Sequence, residues 1–135
     1  MRANDLKGRT MAFAVSIARL TTSLPRSREA DVFGRQLLRS GSSVGANYRA
    51  AGRAQSTAHM LSKLAIVEEE ADECIYWLEL LVQTGIVQAE HAAPLLREAP
   101  ELVAITVASK KTLRARLQTS ASRTSKFEVR TSEES

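Results

Sequence analysis

The sequence is poor in the residues that build loops, disulfides and stacking surfaces. Its 135 residues include six Gly, three Pro, one Cys and 4% aromatic residues. So few Gly and Pro exclude a loop-rich all-β domain, and a single Cys excludes an internal disulfide framework. No apolar run approaches the roughly 20 residues that span a bilayer, and the start of the chain is too polar for a signal peptide. We therefore expect a cytoplasmic protein that does not span a membrane.

Residues that favour helices are abundant in this sequence, and its apolar residues recur with helical spacing. Ala, Leu, Arg and Glu lose little side-chain freedom in a helix, and the length fits one domain. Four apolar stripes predict four helices with short connections. The predicted fold class is all-α, an antiparallel up-down-up-down four-helix bundle over residues 1–117. Residues 118–135 are rich in Ser and Thr and are predicted to be a disordered tail.

The second predicted helix is unusual because its middle is built of small residues. It follows a connection at Pro25, takes Ser27 or Asp31 as its N-cap and runs to about Ala51. Its segment 40–45 contains two glycines, each of which costs on the order of 1 kcal/mol relative to Ala inside a helix. Close approach of a neighbouring helix is the favoured explanation. A break into two helices and a phosphate-binding turn are the alternatives.

The third and fourth predicted helices follow a second connection. Ser56, or the threonine after it, caps the third helix, and Gly85 ends it. The fourth helix is expected to begin near Pro94 or Pro100, because proline is tolerated in a first helical turn, and to run to about Leu117.

The formal net charge of +4 hides a stronger pattern along the chain. Residues 1–53 contain ten basic and three acidic residues, residues 54–101 contain two and nine, and residues 102–135 contain seven and three. Two basic segments, of net charge +7 and +4, therefore flank an acidic segment of net charge −7. This distribution says more about binding partners than the overall charge does.

Helical projection of the second helix gathers its arginines on one side, opposite its apolar stripe and with no acidic residue among them. A guanidinium group suits phosphates because its planar fork donates two hydrogen bonds. A second basic cluster, which includes Arg116, lies on the fourth helix. The candidate nucleic-acid-binding residues are Arg35, Arg39, Arg49, Arg53, Lys110, Lys111 and Arg114.

Two functions are compatible with this basic face. The first is binding of RNA, or else DNA, through the backbone, because so few aromatic residues offer no platform for stacked bases. The second is a homo-oligomeric scaffold whose basic and acidic faces pair between subunits. A solvated face without a partner and a membrane surface are the remaining alternatives.

The third predicted helix is apolar on two sides, which is typical of a deeply buried or subunit-contacting helix. Its seam contains one charged position, Glu68, in a run of Leu, Ala, Ile and Val at heptad-like spacing. A second apolar group on another side predicts self-association. We expect arginines of the first two helices to neutralise part of the acidic cluster at residues 68–73. The candidate structural and oligomer residues are Gln36, Asn47, Glu68, Glu73, Ile66, Trp77 and Leu80.

No metal site, cofactor or catalytic residue is predicted. A di-iron bundle requires a Glu-x-x-His pair on each of two helices, and neither His59 nor His91 has a Glu three residues before it. Cys74 shares a helical side with Val67 and Leu81, so a buried, unreactive thiol is expected. We therefore expect a protein without enzymatic activity.

Two segments resemble a known family. Residues 36–47 fit the pattern Q-L-x-R-x-x-x-S-[IV]-x-x-N of the four-helix-bundle proteins encoded in 23S rRNA intervening sequences. Residues 63–73, with the Tyr-Trp-Leu-Glu-Leu-Leu run that follows, are similar to the third helix of one subgroup. The likeness covers about residues 6–117. It departs from the family at Tyr48–Gly52, where many members have I-A-E-G, so the family glutamate is absent and Arg49 is added.

The resemblance implies an antiparallel bundle, a ring-like homopentamer and no enzymatic activity. It also implies kinship with the accessory proteins of diversity-generating retroelements, which bind nucleic acid and a reverse transcriptase through a basic surface. Gln36, Ser43, Asn47 and Gly52 match the family motif. We expect Asn47 to be buried and to meet a carboxylate of the third helix such as Glu68, because a polar group in an apolar seam needs a partner.

Overall fold

The computed structural model describes residues 5–134, with side chains described from residue 6 to residue 121. Its four helices are α1 (Asp5–Thr22), α2 (Arg28–Gly52), α3 (Thr57–Gln83) and α4 (Ala89–Glu134). Helix α3 packs against α2 and α4, and α1 packs against α2 and, along a thinner seam, α4. The short connections and this neighbour order confirm the predicted four-helix bundle. No helix in the described part of the chain is long and apolar enough to cross a membrane.

The ends of α2 and α3 are fixed by the capping residues that the sequence indicated. The Ser27 hydroxyl accepts a hydrogen bond from the backbone N–H of Ala30 at 3.1 Å, and Ser56 does the same for His59 at 3.1 Å. Gly85 follows α3 with φ of +77°, a left-handed conformation that Gly adopts without steric cost. Each serine satisfies a backbone donor that has no acceptor within its own helix.

The core is formed by apolar stripes on all four helices, and on α3 this stripe is rotated from the predicted seam. Glu68 and Ile75 were expected in the seam but are only partly buried. The reason is that α3 lies between two neighbours and turns toward them the apolar side that includes Cys74, which is fully buried as expected. The buried residues of α3 are Leu64, Val67, Ala71, Cys74, Leu78 and Leu81.

Helix α4 begins earlier and ends later than the sequence pattern predicted. It starts at Ala89, so Pro94 and Pro100 lie inside it rather than in its first turn. Packing explains the early start: Ala92 and Leu95 are buried, and their contacts offset the lost backbone hydrogen bonds. No Gly or Pro follows Pro100, so the helix continues to Glu134. The described side chains from residue 114 to residue 121 are exposed, and the disorder expected for residues 118–135 stays a prediction.

Helix α2 is continuous through the small residues of segment 40–45, and a neighbouring helix approaches closely at one of its two glycines. A Cβ placed on Gly41 would lie 2.5 Å from Cδ1 and 3.0 Å from Cγ2 of Ile17, which is completely buried. A Cβ on Gly45 would meet the side chain of Thr10 only at 3.4 Å, an ordinary contact. Close approach of α1 at Gly41 therefore confirms the favoured explanation, and α2 does not break into two helices.

We expect Gly41→Ala to lower the free energy of unfolding by about 1–2 kcal/mol, because overpacking against Ile17 outweighs the gain in helix propensity. The matched variant Gly45→Ala should raise it by up to about 1 kcal/mol, since its Cβ fits. Urea unfolding followed by circular dichroism measures both changes. Equal effects of the two substitutions would contradict close packing at Gly41.

Candidate nucleic-acid interface

The first half of the predicted basic face is not free of acidic residues. The Nε atom of Arg35 lies 3.2 Å from Oδ1 of Asp31, one turn earlier on α2. The expectation that no carboxylate is interspersed is therefore wrong at this position. Because the side chain of Arg35 is 79% exposed, this pair contributes little to stability and Arg35 still faces water.

Arg39 is held by the acidic cluster of α3. Its two Nη atoms donate to Glu70 at 2.8 Å and to Glu73 at 2.7 Å, and its Nε atom donates to Gln36 at 3.3 Å. Glu73 also accepts from the indole N–H of Trp77 at 3.1 Å. The Arg39 guanidinium is the main reason that the pKa of Glu73 is lowered, and this pairing in turn raises the pKa of Arg39. An arginine of the second helix thus neutralises part of the acidic cluster, as expected.

Lys110 is a core residue and not part of an exposed basic cluster. Its side chain is 11% exposed, and its Nζ atom lies 2.8 Å from Oε1 of Glu68 on α3. Lys110 therefore lacks the exposure that the predicted contact with nucleic acid requires. The physical reason is that α4 turns this position toward α3, where burying a charge without a partner would be costly.

Asn47 does not meet the carboxylate that was expected for it. Its side-chain amide donates within α2 to the backbone carbonyl of Ser43 at 2.9 Å and to the Ser43 hydroxyl at 2.8 Å. The expected partner, Glu68, is bound to Lys110 instead. Asn47 is half-buried, and one residue of its own helix satisfies the amide.

The second apolar group predicted on α3 is partly covered within the chain. The ring of Trp77 stacks on Phe33 of α2 with a centroid distance of 6.2 Å and meets Tyr76 edge-on at 5.0 Å. Ile66 and Leu80 are likewise intermediate in exposure. The α2–α3 contact therefore uses part of the surface assigned to self-association, which stays a prediction.

Four cations converge where α2 ends, α3 begins and α4 leaves the bundle. Lys7 of α1, Arg49 of α2, the C-cap residue Arg53 that follows α2, and Arg116 of α4 are exposed and line one pocket of about 810 Å³. We call these four residues the basic end. None of them forms an ion pair with a residue whose side chain is described, and no acidic residue is found among the described residues that line the pocket. Within residues 6–121, the basic end therefore carries positive charge that no carboxylate neutralises.

The structure does not bring all the predicted cations of α4 to the basic end. Lys111 and Arg114 are exposed but do not line the pocket. At 100° per residue they lie on the far side of α4 from Thr112, Leu113 and Arg116, which do. They are consequently separate from the basic end.

Two basic residues of α1 have roles that the sequence reasoning missed. Lys7 belongs to the basic end, and the up-down topology is the signal that would have placed the start of α1 beside the end of α2. Arg9 binds Glu98 through Nε at 2.9 Å and Glu101 through Nη2 at 2.6 Å, both on α4. These carboxylates raise the pKa of Arg9. Arg9 therefore links α1 to α4 along the thin seam, a contact that no local pattern indicates.

The structure offers no obvious catalytic or metal-binding group in its described part. Burial raises the pKa of the Cys74 thiol to about 11, and its Sγ lies 3.4 Å from the Ser40 hydroxyl in the core. Such a thiol is protonated at neutral pH and inaccessible to substrates. No group of three His, Cys, Asp or Glu side chains among the described residues is arranged to hold a metal ion.

Comparison with known proteins gives a consistent result for sequence and for fold. A sequence model described as 23S rRNA-intervening sequence protein matches residues 2–108. The structure is similar to that of a protein with unknown function from the S23 ribosomal protein family of Bacteroides thetaiotaomicron VPI-5482, with 37% sequence identity and a TM-score of 0.74. That similarity covers 78% of this chain and 98% of the other. No curated protein matches the chain.

We expect Arg39→Met to lower the free energy of unfolding by about 0.5–1 kcal/mol at pH 7, as for a well-aligned exposed ion pair. Because the folded-state pKa of Glu73 is lowered from its ordinary value of 4.5, this contribution is fully present above pH 4.5 and is lost as the pH falls further. Urea unfolding between pH 3 and pH 7 should show the difference shrinking toward acid. Arg97→Met, at an exposed arginine, is the control, and a loss independent of pH would contradict the pairing.

Replacing Lys110 by Met should destabilise the bundle by about 1–3 kcal/mol, because Glu68 is left partly buried without its partner. Adding Glu68→Leu should recover most of that loss by giving two apolar side chains in contact. A double-mutant cycle in urea measures the coupling free energy. Strictly additive effects of the two substitutions would contradict a stabilising contact between them.

Proposed function

The chain belongs to the 23S rRNA-intervening sequence protein family, and on that premise we propose that it binds nucleic acid, RNA in particular, through phosphates held at the basic end. One observation supports this most directly. Lys7, Arg49, Arg53 and Arg116 come from three helices, line one opening and have no acidic partner among the described side chains. Their charge is therefore available to an anionic partner.

The proposed contacts differ from a continuous ridge along α2. Arg39 is occupied by Glu70 and Glu73, and Arg35 has Asp31 beside it, so these two arginines contribute less to the attraction. Arg49 lies in the last turn of α2 and Arg53 is the C-cap residue of that helix, and both line the same opening. Lys111 and Arg114 are additional contacts for an RNA strand that continues around α4.

The mode of binding follows from which side chains are present. Guanidinium and ammonium groups donate to phosphate oxygens, which hold a strand in place without reading its sequence. The aromatic residue that lines the opening is Tyr48, so stacking on successive bases does not contribute much. We therefore propose backbone-directed binding with weak sequence preference. With about four phosphates neutralised, the logarithm of the association constant falls by roughly three for each tenfold rise in salt.

The alternative function is a homo-oligomeric scaffold in which basic and acidic faces pair between subunits. Pairing of Arg39 with Glu70 and Glu73 inside one chain competes with that arrangement, because each of these groups already has a partner. Met11 and Val15, exposed one turn apart on α1, favour self-association through apolar contact instead. A homopentamer and a reverse transcriptase or other protein partner are proposals that rest on the family resemblance.

Changing Arg49 and Arg53 together to Glu is expected to weaken RNA binding at least tenfold in 50 mM salt and to reduce its salt dependence. Fluorescence anisotropy of a labelled single-stranded RNA of 20 nucleotides, measured from 50 to 200 mM salt, provides the test. The matched control is Arg26→Glu with Arg97→Glu, which changes the net charge equally toward the other end of the bundle. An equal loss in both double variants would count against a localised site.

A further inference from the structure

The opening at the basic end is a pocket with an apolar floor as well as a charged rim. All four helices contribute: Leu6 from α1, Ala51 from α2, Met60 and Leu64 from α3, and Leu113 from α4 line it. Leu6 and Leu64 are each only 5% exposed, so the floor is continuous with the core. At about 810 Å³ the pocket falls within the range of small-molecule sites.

Two small residues of α2 line the pocket. Ala51 and Gly52 end α2, and a Cβ placed on Gly52 would meet no atom within 4 Å. On the opposite wall, the hydroxyls of Ser109 and Thr112 donate to carbonyls of their own helix at 3.0 Å and 3.2 Å. Both hydroxyl protons are therefore already used, and neither is available to a ligand.

The contrast between floor and rim defines the chemistry of an occupant. A nucleobase on the apolar floor would have no partners for the hydrogen bonds of its edge, which costs free energy. A hydrocarbon chain has no hydrogen-bonding groups and does not incur this cost. The rim carries Lys7, Arg49, Arg53 and Arg116, with no acidic residue among the described lining residues. An anionic head group and an unbranched apolar tail complement the two parts.

We propose that this pocket binds a free single-chain anionic amphiphile, a molecule with a carboxylate or phosphate head on an alkyl tail. The head group lies among the guanidinium groups of Arg49 and Arg53, and the tail lies between Met60, Leu64 and Leu113. The site goes beyond RNA binding and does not depend on it, although the two share the same cations.

Isothermal titration calorimetry with decanoate below its micellar concentration tests the proposal. We expect decanoate to bind and octanoate, which is two methylenes shorter, to bind about sixteenfold more weakly, because each buried methylene is worth roughly fourfold in affinity. Decyltrimethylammonium, with the same tail and the opposite charge, should not bind detectably. Equal affinity for the anionic and the cationic amphiphile would overturn the proposal.

A pocket-filling variant separates this site from unspecific adsorption. Gly52→Phe places a ring in open space, so we expect the variant to fold. Its affinity for decanoate should be at least tenfold lower than that of the unchanged protein. Gly8→Phe is the matched control, because a Cβ on Gly8 also meets nothing within 4 Å and Gly8 does not line the pocket. Decanoate binding retained in Gly52→Phe would overturn the proposal. Binding lost there and kept in Gly8→Phe supports it whatever the result with RNA.

A second variant keeps the test independent of the folding of the first. Arg49→Gln with Arg53→Gln should weaken decanoate binding about tenfold, with circular dichroism unchanged. Sedimentation with phosphatidylglycerol vesicles distinguishes a free amphiphile from a lipid surface, since a lipid must leave its bilayer before its tail can lie between Met60, Leu64 and Leu113. Vesicle binding that is stronger than decanoate binding and insensitive to Gly52→Phe would overturn the assignment.

Discussion

Neutralisation of the acidic stretch of α3 is the constraint on which the surface of this protein depends. Helix α3 places three partly buried carboxylates beside its two neighbours, α2 and α4. Arg39 of α2 forms ion pairs with Glu70 and Glu73, and Lys110 of α4 forms an ion pair with Glu68. These pairs determine which cations are neutralised within the fold. Four of the cations that these pairs leave over lie together at the end of the bundle where α3 begins, and α3 has no acidic residue in its first turn.

The end of the bundle combines features that arise from different helices for different reasons. The small residues that end α2 leave space, and the apolar stripes of α1, α3 and α4 continue into that space and give it an apolar floor. The cations at its rim have no carboxylate beside them among the described residues that line the opening. The charged rim can bind the phosphate backbone of a nucleic acid at the surface. The rim and the apolar floor together can bind the head group and the tail of an amphiphile. The two proposed ligands therefore differ mainly in whether they use the floor.

Much of the architecture was predictable because it depends on residues close together in the chain. Ser27 and Ser56 cap helices through their own backbone neighbours, and Gly85 ends α3 through its own φ angle. Burial of Cys74 followed from helical spacing, and the close approach at Gly41 followed from the cost of a glycine inside a helix. The start of α4 was not predictable in this way, because the contacts that hold a helix around Pro94 are tertiary.

The sequence by itself determined four helices, their order and the separation of charge into basic, acidic and basic segments. Periodicity along one helix specifies which residues share a face, and segment charge needs only counting. Only the tertiary structure decided which cations have partners, because that depends on how α2 and α4 are rotated about their axes and shifted along α3. A small change in the rotation or shift of α4 would move Lys110 away from Glu68 of α3. Such placements depend on close packing between residues distant in the chain, as where Gly41 of α2 meets Ile17 of α1.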